Sequence, residues 1–205
     1  MKTILWDFDG VILDSMKVRD WGFEEIFKSF EKDKVSLLLA YHRENGGLSR
    51  YVKIRYFYEV ILGEQITEHE VQKYAKGFSL LMKKELINPK NLIQDSLNFI
   101  KENHKKYNFH IVSGSDQNEL RYLCQELKIT HFFNSIYGSP IPKNKLVKDL
   151  LKANKYKLDE VCLIGDSVND YEAAICNSIL FYGYNNTDLI IRSKQYIQEL
   201  KVFKF

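Results

Sequence analysis

Residues 6 to 15 read WDFDGVILDS, and the carboxylates of Asp7 and Asp9 decide how the rest of the chain is read. They close a β-branched and aromatic run, TILWDF at 3 to 8, which stops at Gly10 as a strand entering a loop does. Two acids at the end of an apolar strand stand at the rim of a core, so the question is what meets them there.

Working outward, FHIVS (109 to 113), NSIYG (134 to 138), VCLIG (161 to 165) and SILFY (178 to 182) are similar short apolar runs ending in or before Gly, Ser or Asp. Segments of helical period separate them. In DQNELRYLCQELKI (116 to 129), Leu120, Leu123, Cys124 and Leu127 share a stripe, and Asp116 with Glu119 predicts a capping box. Strands alternating with helices predict a Rossmann-like, doubly wound α/β fold with a parallel sheet covered on both faces. Residues 15 to about 87 contain no convincing strand. Trp21, Phe23, Ile26, Phe27 and Phe30 recur at near-helical spacing, as do the apolar positions of 51 to 62 and 69 to 86. Asn45, Gly46 and Gly47 break two of these helices, and NPKN at 88 to 91 marks the return to the α/β part. The expected organisation is therefore a core of residues 1–14 and 88–205 with an all-helical insert at 15–87.

Composition narrows the class. The 205 residues are enough to bury a substantial interior, and 45% hydrophobic with 28% charged is ordinary for a globular domain. A formal net charge of +3 is too mild to argue for nucleic acid and is compatible with a small anionic substrate. Cys124, Cys162 and Cys176 form no CxxC or His-linked pattern, which reads as reduced thiols. The longest apolar run, VSLLLAY at 35 to 41, is too short to span a bilayer, so the expectation is a cytoplasmic protein with no membrane partner.

In an open parallel sheet, ligands bind beyond the carboxyl ends of the strands, where the strand order reverses. The strand ends here deliver Asp7 and Asp9, then Ser113, Gly114 and Ser115, then Gly165, Asp166 and Asp170, with Lys143 following the third strand. Four carboxylates in one small space repel unless a cation is present, and an all-oxygen site of this kind suits Mg²⁺.

These residues resemble, in order, the motifs of the haloacid dehalogenase superfamily of phosphohydrolases: DFDGV, HIVS, the lysine of GSPIPK, and GDSVND. Each motif alone is weak, while the four in order at predicted strand ends are specific. The resemblance covers 1 to 14 and about 88 to 185. It implies that Asp7 attacks a phosphoryl group to give an acyl phosphate, while Asp9 protonates the leaving oxygen and then deprotonates water. It further implies a Mg²⁺ held by Asp7, Asp166 and the backbone carbonyl of Asp9, with Asp170 orienting bound water or the lysine. Ser113, Gly114 and the N–H groups that follow would hold the phosphoryl oxygens, and Lys143 would neutralise developing charge. Lys143 is preferred to Lys145 because it falls where the family's lysine follows Gly-Ser-Pro. Ser167 and Asn169 read as loop formers supporting Asp166 and Asp170.

In this superfamily a cap between the first and second motifs covers the site, and an all-helical one resembles the group that includes phosphoglycolate phosphatase and β-phosphoglucomutase. YHRENGGLSRYVK (41 to 53) is the insert's most unusual stretch, and its His42, Arg43, Ser49, Arg50 and Lys53 are candidates for the anionic or hydroxylated end of a substrate, Arg50 foremost. Tyr51, Tyr56, Phe57 and Tyr58 read as the insert's own core. The leading expectation is a Mg²⁺-dependent phosphatase of a small phosphorylated metabolite. A phosphomutase of the β-phosphoglucomutase type is the nearest alternative. A dehalogenase or phosphonate hydrolase is disfavoured by Asp9. A receiver-like or non-catalytic phospho-binding module is disfavoured by the large insert after the first strand and by the complete set of catalytic residue types.

Overall fold

The strand that ends in Asp7 is the pivot of the sheet. The computed structural model describes residues 2–193 and 195–205, in which β1 (Thr3–Trp6) lies inside a six-stranded sheet of order β3-β2-β1-β4-β5-β6. The other strands are β2 (Asn108–Asp116), β3 (Ser135–Ser139), β4 (Val161–Gly165), β5 (Leu180–Tyr184) and β6 (Tyr196–Ile197). Every pairing is parallel, with Leu5 opposite His110 on one side and Leu163 on the other. The order reverses between β1 and its two neighbours, which places a ligand crevice at the carboxyl end of β1.

The helices are α1 (Met16–Ile26), α2 (Lys32–Glu44), α3 (Arg50–Tyr56), α4 (Glu68–Glu85), α5 (Gln94–Asn103), α6 (Gln117–Glu126), α7 (Lys143–Asn154), α8 (Val168–Cys176) and the short α9 (Leu189–Arg192). Side chains alternate across β1 as the pleat requires. Ile4 and Trp6 pack with Phe99 of α5 and Leu120 of α6, while Leu5 faces Leu150 of α7 and Ala173 of α8. Ile4, Leu5 and Trp6 are fully buried, and each aliphatic side chain is worth about 1.5–3 kcal/mol of burial.

Helices α1 to α4 fill the interval between β1 and α5, and the chain leaves and re-enters the sheet region at one place. Leu13 bridges Leu92, the Asp14 N–H donates to the Asn91 carbonyl, and the Ile93 N–H donates to the Ile12 carbonyl. The interior of this helical group (Phe23, Phe27, Leu38, Ile54, Phe57, Phe78) is continuous with the apolar layer on the α5–α6 side of the sheet.

Local differences from the sequence reading have physical causes. The strand at 3 to 8 stops at Trp6, although the Asp7 N–H still donates to the Ile164 carbonyl, because Phe8 begins the turn that Gly10 completes at φ +75°. The run at 178 to 182 becomes a strand two residues later, since Ser178 takes a left-handed conformation in the turn that closes α8. The helix over 51 to 62 widens to a π-helical turn at Phe57–Leu62 before Gly63 ends it at φ +73°. Asp116 caps α6, accepting from the Asn118 and Glu119 N–H groups, but the expected capping box is absent, because the Glu119 side chain turns inward to two arginines.

Candidate active site

The first turn of α8 sets the geometry. Ser167 caps it, accepting from the Asp170 N–H, and Asp170 Oδ2 returns bonds from the Ser167 N–H and hydroxyl, so this carboxylate is locked in place. Its other oxygen accepts from Lys143 Nζ, which also lies 2.7 Å from Asp7 Oδ1. Lys143 is the first residue of α7 and is buried, whereas Lys145 is exposed and pairs with Asp149 four residues on. Of the two lysines, Lys143 is the one that reaches the acids.

Asp166, at the end of β4, completes the group. Asp7, Asp166 and Asp170 each offer an oxygen, and these atoms lie within 4.8 Å of one another. Gly10 is required beside them, because a Cβ there would stand 1.9 Å from Asp166 Oδ2. Asn185 and Asn186, beyond β5, hold the Gly10 and Asp166 carbonyls at 2.9 and 2.7 Å. Burial, followed by the charge of Asp170, pushes the Asp7 carboxyl up to about 7 against the opposing pull of Lys143. Burial and then the charges of Asp7 and Asp170 push Asp166 well above the ordinary carboxylate range. Burial works against the Lys143 charge, but Asp170 and Asp7 outweigh it and raise its pKa. Three carboxylates against one ammonium leave two negative charges, so the chemistry of the donor set fits one hard divalent cation with oxygen ligands.

Asp9 is held apart from this group. Its Oδ1 accepts from Arg19 Nε at 2.6 Å and from the Ser15 hydroxyl at 2.5 Å, and its Oδ2 accepts from the Ser115 hydroxyl at 2.5 Å. Burial favours its neutral form, but Arg19 and these hydrogen bonds outweigh it and hold its pKa below the ordinary value. The two acids of the first motif are thus driven in opposite directions.

Ser113 is buried at the expected strand end. Its Oγ accepts from the Ser115 N–H at 3.1 Å, so its own proton remains to be donated. Of the N–H groups that follow, that of Ser115 donates to Ser113, and those of Asn118 and Glu119 in the first turn of α6 donate to Asp116. Gly114 abuts the Gly46–Gly47 turn, where a Cβ on Gly114 would come within 2.3 Å of the Gly47 carbonyl oxygen. That turn divides two clefts. One, of ≈ 550 Å³, runs past Leu48, Ser49, Pro140 and Lys143; the other, of ≈ 490 Å³, runs past Arg43, Asp166 and Asn186.

Arg50 is buried and touches neither cleft. Its guanidinium donates to Glu119 and Ser79, both at 2.6 Å, and lies 4.6 Å above the Phe78 ring. Of the other candidates in the insert, Lys53 Nζ meets His42 Nδ1 at 2.8 Å, Arg43 pairs with Asp20 at the surface, and Ser49 caps α3. Phe57 is fully buried and Tyr56 stacks on Tyr41, but Tyr51 does more than fill the core, donating to Asp116 at the end of β2 at 2.7 Å.

Arg19 and Glu119 were missed by the sequence reading. The available signal is periodic: Arg19 stands four residues before Phe23 and Glu119 four before Leu123, so each charge lies on the apolar stripe of its helix.

The sequence matches the haloacid dehalogenase-like hydrolase family over residues 4–182. Among curated proteins none matches the chain. Solved structures of similar fold include a β-phosphoglucomutase from Clostridium difficile, with TM-score 0.80 and 13% identity over 100% of this chain and 94% of that one. A predicted phosphatase from Clostridium acetobutylicum gives TM-score 0.77 and 12% identity over 98% and 94%. A predicted phosphoglycolate phosphatase from Haemophilus somnus gives 0.71 and 14% over 98% and 95%.

Proposed function

The chain belongs to the haloacid dehalogenase-like hydrolase family, and from that premise we propose that it is a Mg²⁺-dependent phosphatase of a small phosphomonoester, working through an aspartyl phosphate on Asp7. The observation that carries this reading is the meeting of Lys143, at the start of α7, with Asp7 beyond β1 and Asp170 in α8, beside Asp166 beyond β4. Residues 15–87 act as the helical cap over a core of 1–14 and 88–205. Among the described residues no helix is long and apolar enough to cross a membrane. A cytoplasmic setting agrees with Cys124 and Cys162 as buried thiols.

Asp7, Asp166 and Asp170, with the Asp9 carbonyl, would hold the cation. Bound there, Mg²⁺ supplies the neutralisation that lets an anionic nucleophile approach an anionic phosphate. Lys143 fixes one Asp7 oxygen and presents its charge to the phosphoryl group. Asp7 attacks phosphorus, the ester P–O bond breaks, and the leaving oxygen takes a proton from Asp9. Asp9 then accepts a proton from water as that water attacks phosphorus, the bond to Asp7 breaks, and phosphate departs. The Ser113 hydroxyl donates to a phosphoryl oxygen. Arg19 favours the ionised form of Asp9, so the first step needs Asp9 loaded with a proton before the leaving oxygen departs.

A phosphate-release screen over phosphorylated sugars, short hydroxy acids and nucleotides, with and without chelator, tests the reading. The expected result is release that stops on chelation and in Asp7→Asn. Release surviving either treatment refutes the mechanism, and isomerisation of a sugar phosphate with no phosphate released replaces it with a phosphomutase.

A further inference from the structure

The three carboxylates of the site are not held alike. Asp170 is bonded by the Ser167 N–H and hydroxyl and by Lys143 Nζ, and Asp7 is bonded by Lys143 Nζ. The Asp166 carboxylate accepts no hydrogen bond among the described residues, although the charges of Asp7 and Asp170 press on it. Its position is set through the backbone around it. Gly10 packs so closely that a Cβ there would stand 1.9 Å from Asp166 Oδ2. The carbonyls of Gly10 and Asp166 each accept from a side-chain amide, Asn185 Nδ2 at 2.9 Å and Asn186 Nδ2 at 2.7 Å. These two asparagines are consecutive and follow β5 directly. Asn185 takes φ +56°, in the left-handed region that asparagine enters more readily than most residues. Asn186 is fixed at its other end, where Oδ1 accepts from the Asp188 N–H at 3.1 Å. With its oxygen committed, the amide nitrogen can only face the Asp166 carbonyl, so Asn186 is a strut between the start of α9 and the end of β4.

We propose that Asn185 and Asn186 are positioning residues that make the carboxylate site selective for Mg²⁺ over larger divalent cations. The inference rests on the reading of Asp7, Asp166, Asp170 and the Asp9 carbonyl as the cation's ligands. Mg²⁺ demands near-ideal octahedral geometry at about 2.0–2.1 Å, whereas Ca²⁺ accepts irregular sets of oxygens at about 2.3–2.6 Å. A carboxylate with no bond of its own meets the stricter demand only if its backbone is fixed, and here two amides fix it. Gly10 follows Asp9 in the chain, so the Asn185 bond also steadies the segment that carries the Asp9 carbonyl. Groups that orient metal ligands from behind change affinity by about 10–100-fold when they are removed. Releasing either carbonyl should weaken Mg²⁺ strongly and Ca²⁺ less, because a loosened set of oxygens still suits the ion that tolerates irregular geometry.

The test is calorimetric titration of Mg²⁺, and separately of Ca²⁺, into the full chain with no substrate present. Asn185→Gly removes the first amide, while glycine keeps the left-handed turn at no steric cost. Asn186→Ala removes the second and leaves the N–H of Asp188, an exposed residue, to water. Each should raise the Mg²⁺ Kd by roughly tenfold or more and the Ca²⁺ Kd by clearly less, so that the ratio of the Ca²⁺ to the Mg²⁺ value falls. Kd values for the two ions that rise together mark a general loosening and overturn the selectivity role. A lower metal-free Tm with both Kd values unmoved marks the amides as purely structural and overturns it as well. A wild-type chain that takes up no Mg²⁺ overturns the cation reading and this inference with it, whereas a wild type that binds Mg²⁺ no better than the two variants overturns this inference alone.

Discussion

Arg19 reaches from the first helix of the insert to Asp9 at the end of β1, with Nε 2.6 Å from Oδ1 and both side chains largely buried. The charge stabilises the ionised carboxylate, so its removal must raise the Asp9 pKa. As the acid of the first step Asp9 has to be protonated, and a higher pKa keeps it protonated to higher pH. Arg19→Met should therefore move the alkaline limb of the kcat/KM profile for an aryl phosphate upward by about one to three units. An unmoved limb would show that Asp9 is not the acid.

Lys143 and Lys145 stand two residues apart, and only the first turns into the site. Lys143→Met removes the one cation bridging Asp7 and Asp170 and should lower kcat on the order of 10²–10³-fold, as loss of a transition-state charge does. Lys145→Met removes only an exposed i,i+4 pair with Asp149, worth a few tenths of a kcal/mol. Steady-state kinetics of the two variants at saturating Mg²⁺ separate these cases, and similar losses in both would break the assignment.

Asp166 is crowded by Asp7 and Asp170 but has no bond to Lys143. In the metal-free protein its charge is therefore a liability held for function. Asp166→Asn should stabilise that form by on the order of 1 kcal/mol. The same variant should lose most of the rise in Tm that Mg²⁺ gives the wild-type protein, a readout independent of turnover. A metal-free variant melting below wild type would mean that Asp166 is held by attractive contacts instead.

Much of this arrangement could be read from sequence because it is local. A strand, a turn and a carboxylate at a fixed offset place Asp7, Ser113 and Asp166, and the four motifs in order name the fold. Lys143 was separable from Lys145 only by its place after Gly-Ser-Pro, and its bond to Asp7 spans 136 positions. Arg19 and Glu119 lie 100 positions apart, and helical charges are ordinarily solvated, so nothing nearby in the chain announces their pairing. The capping box expected at Asp116 and Glu119 failed for that reason: a buried pair of guanidinium groups outbids a single backbone N–H for the Glu119 carboxylate. The two-residue β6 carries no pattern at all and forms only because β5 offers it an edge.

Two buried histidines make a final prediction about stability in acid. Burial, with the nearby Lys53 and Arg19 charges, lowers His42 to about 2, and burial lowers His110 to about 4. His110 lies 2.7 Å from the Ser135 hydroxyl through Nδ1 and 3.0 Å from the Tyr156 hydroxyl through Nε2. The folded protein keeps each ring neutral where the unfolded chain, titrating near the ordinary 6.5, already binds a proton. Their stabilisation is thus complete above pH 6.5 and falls with pH, by up to about 1.4 kcal/mol per unit for each ring. Asp7 and Asp166, raised in the fold, take up protons early and oppose this trend, so the total curve is ambiguous. A difference removes the ambiguity. The destabilisation caused by His110→Gln, from urea unfolding in the presence of Mg²⁺, should be largest at pH 7.5 and shrink steadily from 6.5 to about 4. A cost that stays constant over that range would show that His110 protonates in the folded protein as readily as in the unfolded one.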